Sequence, residues 1–140
     1  MTETKEFPNF ICLGIVQNSK GEVLMIRRAK EEAGEGWKLS WAFPGGKLIE
    51  GETREQCAER ETLKETGYKI KAVKQIDLRS HTATGKFIAY VLCKLEEESP
   101  VAEPSEPWEV QEIKWIKPEE IKNLITTPLN PAVAKELKIG

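Results

Sequence analysis

Apolar stretches alternate with short polar turns along most of the chain, a pattern typical of a sheet-forming domain. The stretches "NFICLGIVQN" and "EVLMIRRA" flank "SKG", which predicts a hairpin of Phe10–Val16 with Val23–Arg28. The charged, glycine-containing "KEEAGEGWKLS" is predicted to be a loop. "WAFP" is predicted to be extended, because Pro44 disfavours helix at the residue before it. Further strands are predicted in "YKIKAVKQIDLRS", "KFIAYVLCKLE" and "EVQEIKWIK", the first two joined by a turn at Thr84-Gly85.

One helix has clear start and stop signals in the sequence. Thr53 followed by Gln56 is a capping box, and Gly67 is suited to the position just after a helix, so a helix is predicted over about Arg54–Thr66. Shorter helices are predicted in "PEEIKNLI" and "PAVAKELK". Strands on both sides of a central helix, with helices at the end, predict an α+β domain. Its layers would form an α/β/α sandwich with a mixed sheet between helices, as a single domain over residues 1–140.

Composition and charge narrow the classes of partner. The chain of 140 residues is 39% hydrophobic and 31% charged, with a net charge of -2. This balance does not favour a nucleic acid polymer or an anionic membrane, although it leaves single nucleotides open. No apolar run approaches the roughly 20 residues that a membrane helix needs, and "MTETKEFPNF" is polar, so we expect a cytoplasmic protein.

The cysteine and histidine content argues against a zinc site. The three cysteines lack C-x-x-C spacing, and the one histidine, His81, is far from them in sequence. We therefore predict that the cysteines are small core residues of a reduced protein. They are Cys12, Cys57 and Cys93.

Carboxylates are concentrated around the predicted central helix. Because helical neighbours are three or four residues apart, Glu61 and Glu65 share one face, where like charges cost a few tenths of a kcal/mol. A divalent cation would reverse that cost, and Arg60 is suited to orient Glu61 beside it. A solvated acidic face is the alternative, and the spacing alone does not decide between the two. Six glutamates lie within sixteen residues: Glu50, Glu52, Glu55, Glu59, Glu61 and Glu65.

The glycine turn and this helix together resemble the Nudix box, G-x5-E-x7-R-E-U-x-E-E-x-G-U, in which U is apolar. The sequence departs from the box at two positions. Thr62 replaces the usual aliphatic residue, which mainly affects packing. Lys64 replaces the first glutamate of the E-E pair, commonly a metal ligand in the family. Lys64 would pair with Glu61, substitute electrostatically for one metal ion, or mark a site that has lost activity. The matching residues are Gly46, Glu52, Arg60, Glu61, Glu65, Gly67 and Tyr68.

The resemblance implies a fold and a chemistry. Nudix proteins have an α/β/α sandwich and hydrolyse a nucleoside diphosphate linked to a further moiety, using Mg²⁺ or Mn²⁺. By this resemblance Glu61 and Glu65 are metal ligands, one of them also serving as base through water, and Arg60 supports the catalytic carboxylates. The partner implied is a nucleotide, bound by a monomer or a homodimer.

Four stretches outside the helix resemble the MutT-like branch of this family, the small nucleoside triphosphate pyrophosphohydrolases. They are "IRRA", "WAFPGGK", "EVQEIKW" and "PLNPAVAKELK". The resemblance implies Glu109 as a supplementary metal ligand, with Glu112 as the competing choice. It also implies that Asn130 hydrogen-bonds the base and that Phe43 packs against the ring of the base. The plainer interpretations are that Asn130 is a cap or turn residue and that Phe43 is a core residue. The residues implied for phosphate or sugar are Arg27, Gly45, Gly46 and Lys47.

The resulting expectation is an Mg²⁺-dependent hydrolase that converts a nucleoside triphosphate to the monophosphate and pyrophosphate. An oxidised purine nucleotide is one substrate that fits. The alternatives are an ADP-ribose or dinucleoside-polyphosphate hydrolase, and a catalytically weakened nucleotide-binding or sensor protein. Lys64 is the feature that favours the last of these.

Overall fold

A mixed sheet and three helices make up the described part of the chain. The computed structural model describes residues 9–32, 36–81, 85–105, 109–125 and 128–139. The strands are β1 (Phe10–Gln17), β2 (Val23–Glu32), β3 (Gly36–Ala42), β4 (Gly45–Lys47), β5 (Ile70–His81), β6 (Lys86–Leu95) and β7 (Val110–Ile116). The helices are α1 (Arg54–Thr66), α2 (Ile121–Leu124) and α3 (Pro131–Glu136), with a 3-10 turn at Pro118–Glu120.

The sheet is built around a parallel pair of strands. Its order is β3-β2-β1-β6-β5, with β4 paired to β1 and β7 paired to β2. Strands β1 and β6 run parallel, whereas the other pairs are antiparallel. The predicted mixed sheet is therefore confirmed, and so is the long β5–β6 pair. The predicted turn residue Thr84 lies outside the described residues.

Two predictions about the first strands need correction. The stretch predicted as a loop, residues 30–40, contributes to β2 and β3, which pair from Ile26↔Ala42 to Glu32↔Gly36. Cross-strand pairing satisfies the backbone there despite the charged composition, because strand formation depends more on context than on propensity. The predicted β1–β2 hairpin is confirmed only at its turn, at Gln17↔Val23. The start of β1 pairs instead with β4, for instance Cys12↔Gly46.

Side-chain alternation along the strands divides the core into two clusters, one on each face of the sheet. One cluster includes Cys12, Val16 and Leu24, and packs against Cys57 and Ala58 of α1. The other faces α2 and α3. Its buried members are Ile15, Val23, Met25, Phe43, Tyr90, Ile116, Ile121, Val133 and Leu137. Helices therefore cover both faces, as the predicted α/β/α sandwich requires.

The ends of α1 agree with the sequence signals. The Thr53 side chain accepts a hydrogen bond from Gln56 N, the Gln56 side chain accepts one from the Thr53 backbone N–H, and Gly67 closes the helix with φ +79°. The acidic, proline-rich stretch that follows β6 is exposed where described, except at the half-buried Pro104, and it returns to this end of the helix. Its Val101 N–H donates to Gly67 O at 2.8 Å.

The predicted role of the cysteines is confirmed, since all three are buried and unpaired by disulfides. Across the residues that the structure describes, no helix has the length and apolar character needed to cross a membrane.

Candidate active site

A short glycine strand lies directly against the carboxylate face of α1. At Gly45 (φ +156°) a side chain would collide with the backbone carbonyl of Cys12 on β1. At Gly46, a Cβ atom would lie 2.5 Å from Oε1 of Glu61. The absence of a side chain at Gly45 thus lets β4 lie on β1, and its absence at Gly46 lets the Glu61 carboxylate approach the backbone of β4.

Glu65 is a buried carboxylate held by two partners from different strands. Its Oε1 accepts a hydrogen bond from Gly45 N at 2.8 Å, and its Oε2 pairs with Arg28 of β2 at 3.0 Å. Burial raises the pKa of Glu65 from 4.5 to about 7, although Arg28 and the Gly45 N–H act in the opposite direction. The charges of Glu61 and Glu109 raise this pKa further. The carboxylates near α1 therefore form an electrostatically coupled group.

Arg60 links the carboxylate of Glu61 to Glu52 and to the backbone of Lys47, which precede α1 in the chain. It donates to Glu52 Oε2 through Nε at 2.6 Å, to Glu61 Oε2 through its NH1 atom, and to Lys47 O through its NH2 atom at 3.0 Å. The contact with Glu52, and then that with Glu61, raise the pKa of Arg60. Arg60 is thus a permanent cation that fixes the orientation of Glu61, while Glu61 Oε1 is turned to Gly46.

The two glutamates proposed as a supplementary ligand differ in position. Glu109 lies close enough for its charge to act on Glu65. Glu112 forms ion pairs with Lys114 at 3.1 Å and with Arg27 at 3.4 Å, and these contacts lower its pKa. Alternation along β7 puts Glu112 on the face away from α1. The geometry therefore favours Glu109 over Glu112 as a neighbour of the helix carboxylates.

Two consecutive arginines of β2 point to opposite faces of the sheet. Arg27, which the sequence suggested as a phosphate contact, reaches Glu112. Arg28 reaches Glu65 and donates to Gly45 O at 3.3 Å. Sequence reasoning missed Arg28. The available signal was strand alternation, but using it required knowing which face carries α1.

Phe43 and Asn130 lie on the other side of the sheet from α1. Phe43 is buried in the cluster beneath α3. Asn130 caps α3, with Oδ1 accepting from the N–H groups of Ala132 and Val133, and its Nδ2 donates to Asp77 Oδ2 at 2.8 Å. Both plainer interpretations therefore hold in this structure. The contacts with a base stay a prediction.

The two positions that depart from the box differ in environment. Thr62 is fully buried against Gly14, and its hydroxyl has no hydrogen-bond partner among the described residues. This agrees with an effect on packing. Lys64 is partly buried, and its carbonyl accepts from Ser105 N at 2.8 Å. Lys47 is exposed and contributes its carbonyl to the site.

The donor set suits a divalent cation completed by ligands from outside the protein. In the described ranges, no three His, Cys, Asp or Glu side chains form a group able to hold a metal ion by themselves. However, Glu61 and Glu65 are buried hard-oxygen donors. Burial opposes the ionisation of Glu65, and a bound cation would offset that cost. Mg²⁺ is commonly bound through one or two carboxylates together with water and phosphate oxygens, so this pair fits it.

A mixed sheet between helices, with paired carboxylates of α1 packed on a glycine strand, defines the Nudix fold. The family model described as "NUDIX domain" matches residues 7–137, so the chain belongs to the Nudix hydrolase family. Members of this family are pyrophosphohydrolases that typically depend on divalent metal ions.

Individual relatives show partial similarity in sequence and full-length similarity in fold. The 8-oxo-dGTP diphosphatase of Escherichia coli (strain K12) is 44% identical over 57 residues, which cover 41% of this chain and 42% of that protein. The MutT protein from Methanosarcina mazei Go1 has a TM-score of 0.68 at 21% identity, covering 98% of this chain and 96% of that chain. An ADP-ribose pyrophosphatase from Streptococcus suis 89-1591 has a TM-score of 0.64 at 15% identity, covering 94% and 88%.

These similarities establish the fold and leave the substrate open. The matches to the curated relatives span less than half the length of those proteins. At these identities the solved structures share the fold alone, and they include one protein named for ADP-ribose and another named for UDP-X.

Proposed function

We propose that this chain is a MutT-like, Mg²⁺-dependent hydrolase that cleaves a nucleoside triphosphate to the monophosphate and pyrophosphate. The observation that carries the proposal is the buried pair Glu61 and Glu65, one helical turn apart and pressed against the glycine strand β4. The partial similarity to an 8-oxo-dGTP diphosphatase supports the triphosphate class and an oxidised purine as the base.

Glu61 and Glu65 would hold the divalent cation, with Glu109 as a supplementary ligand. When bound there, Mg²⁺ supplies charge neutralisation of the phosphate oxygens and a lower pKa for the attacking water. Mn²⁺ has similar ligand preferences and is the alternative ion.

The protein's own groups hold the carboxylates in position before substrate arrives. The Gly45 N–H fixes one oxygen of Glu65. Arg60 fixes one oxygen of Glu61 and is itself braced by Glu52. One of the two helix carboxylates takes a proton from water, a role that needs a group within hydrogen-bond reach of that water. Such prior positioning lowers the barrier because little reorganisation is needed during the reaction.

The base is proposed to bind near Asn130 and Phe43, on the α3 side of the sheet, with the phosphates near Gly45, Gly46 and Lys47. Because Oδ1 of Asn130 already accepts two backbone N–H groups, the remaining Nδ2 hydrogen is the group available to a ligand. Asn130 would therefore act towards the base as a donor, which suits a carbonyl on the base edge.

A substrate panel tests the proposal directly. Pyrophosphate and phosphate release would be measured for normal and oxidised nucleoside triphosphates, ADP-ribose and a dinucleoside polyphosphate, with Mg²⁺ and with EDTA. We expect Mg²⁺-dependent pyrophosphate release, fastest with an oxidised purine triphosphate. Faster turnover of ADP-ribose than of every triphosphate would contradict the substrate class.

Lys64 favours a second candidate function, a nucleotide-binding protein with weakened hydrolysis. It adds a positive charge on α1 at the position where the box has a glutamate. Under this alternative the protein binds nucleotide with Mg²⁺ yet releases no product, and Lys64→Glu creates measurable turnover. Robust turnover by the unmodified protein would exclude this alternative.

A further inference from the structure

Arg28 lies where a cation is needed beside Glu65. We infer that its guanidinium is an internal cation that occupies part of the divalent-metal position in the free protein and must leave when metal binds. The inference rests on the metal-binding role proposed above for Glu65.

A single nitrogen of Arg28 bridges two oxygens that belong to different elements. Its NH2 atom is 3.0 Å from Glu65 Oε2 and 3.3 Å from Gly45 O. These two acceptors are fixed relative to each other, because Gly45 N also donates to Glu65 Oε1 at 2.8 Å. A carboxylate and a backbone carbonyl are both hard oxygen donors. The bridge therefore marks a point where positive charge is stabilised whether arginine or a metal ion supplies it.

One buried donor of the arginine, Nε, is not satisfied in this position. Nε of Arg28 is buried and has no hydrogen-bond partner among the described residues, although its side chain as a whole is 31% exposed. An arginine that served only as a brace would be expected to use this donor as well, since an unpaired buried N–H is unfavourable. Exposure of the side chain gives it a route away from Glu65. The attraction between the guanidinium and the buried carboxylate of Glu65 thus accounts for the position of Arg28.

Displacement of Arg28 would couple metal binding to nucleotide binding. A metal ion that binds alone must break the ion pair and leave the guanidinium without an anion. A polyphosphate supplies that anion, because the planar fork of arginine matches phosphate oxygens. Each ligand then favours the other, and by linkage the coupling is reciprocal.

The experiment measures the Mn²⁺ affinity of the native protein and of Arg28→Met by calorimetry at pH 8.5. Each protein is titrated first without nucleotide and then with a non-hydrolysable triphosphate analogue. We expect Arg28→Met to bind Mn²⁺ alone about fivefold more tightly, the scale of a partly exposed ion pair. The gain in Mn²⁺ affinity on adding the analogue should be smaller in the variant than in the native protein. Arg27→Met is the matched control, because it removes the same charge from the opposite face, and we expect it to leave the Mn²⁺ affinity without nucleotide unchanged.

The outcomes separate this inference from the proposed function. Equal or weaker Mn²⁺ binding by Arg28→Met overturns the inference while the hydrolase proposal stands. Failure of the native protein to bind Mn²⁺ even with the analogue contradicts the proposed function itself, and the inference with it. Should Arg28→Met not fold, Mg²⁺ titration of the native protein followed at the Arg28 Nε–H resonance gives an independent test. A resonance that does not shift as Mg²⁺ saturates the site overturns the inference.

Discussion

Replacement of Glu65 by glutamine tests whether a buried carboxylate destabilises the fold in order to serve the site. Glutamine keeps the shape of the side chain and can still accept from the Gly45 N–H, but it carries no charge. It therefore resembles the protonated form of Glu65. We expect Glu65→Gln to remove a pH-dependent loss of stability that the native protein shows without metal.

The magnitude follows from the pKa of Glu65, which is raised from 4.5 to about 7 mainly by burial. At about 1.4 kcal/mol per pH unit, this corresponds to about 3 kcal/mol. Because the folded state holds the proton more tightly than the unfolded state, the free energy of unfolding falls as pH rises from 4.5 to 7 and then levels off. The variant should lack this component of the fall.

Urea unfolding of both proteins in EDTA, at intervals from about pH 4 to pH 8.5, measures the difference. The free energy of unfolding of the variant minus that of the native protein should rise by about 3 kcal/mol across this range. The substitution also alters the contact with Arg28. Any pH-independent change in the free energy of unfolding from that contact shifts all the differences equally and does not affect their rise with pH. A difference that is independent of pH would refute the reasoning. Added Mn²⁺ at pH 8 should stabilise the native protein more than the variant, because only the native site keeps both carboxylates.

The same variant has a catalytic consequence. Loss of a metal ligand should lower kcat by orders of magnitude in the pyrophosphate-release assay. Glu55→Gln is the matched control, since it makes the same change at an exposed position of the same helix, and it should keep normal turnover. Near-normal turnover by Glu65→Gln would refute the ligand assignment.

Four further substitutions probe separate features of the site and its surroundings. Gly46→Ala places a methyl group 2.5 Å from the buried carboxylate of Glu61, which Arg60 holds in place. The carboxylate must shift, so kcat should fall about 100-fold and the melting temperature should fall as well; an unchanged kcat would contradict the close approach. Lys64→Glu should raise kcat or lower the Mg²⁺ requirement if the native site is impaired, and unchanged kinetics would show that Lys64 is peripheral. Thr62→Val removes a buried, unpartnered hydroxyl and should raise the free energy of unfolding by about 1 kcal/mol; a loss of stability would show that the hydroxyl is satisfied in solution. Asn130→Ala removes the cap of α3 and should lower the free energy of unfolding by about 1 kcal/mol. If the Asn130 side chain also contacts the base, the variant should show a higher KM for the preferred triphosphate, and an unchanged KM would refute the proposed base contact.

The sequence determined the features that depend on neighbours a few residues apart. The limits of α1 follow from Thr53, Gln56 and Gly67, whose caps act within one turn. The shared face of Glu61 and Glu65 follows from the helical repeat. Alternation of apolar residues likewise indicated most strands, although it could not say which strands pair.

Only the tertiary structure decided which distant residues meet. The pairing of β2 with β3 rescued a stretch whose composition indicated a loop. Seating β4 on β1 brought Gly45 to Glu65, and the same packing selected Arg28 rather than Arg27 as the partner of that carboxylate. Glu109 was distinguished from Glu112 in the same way. Strand order and facing depend on burial and backbone pairing across the whole sheet, and a local pattern carries no information about its partner.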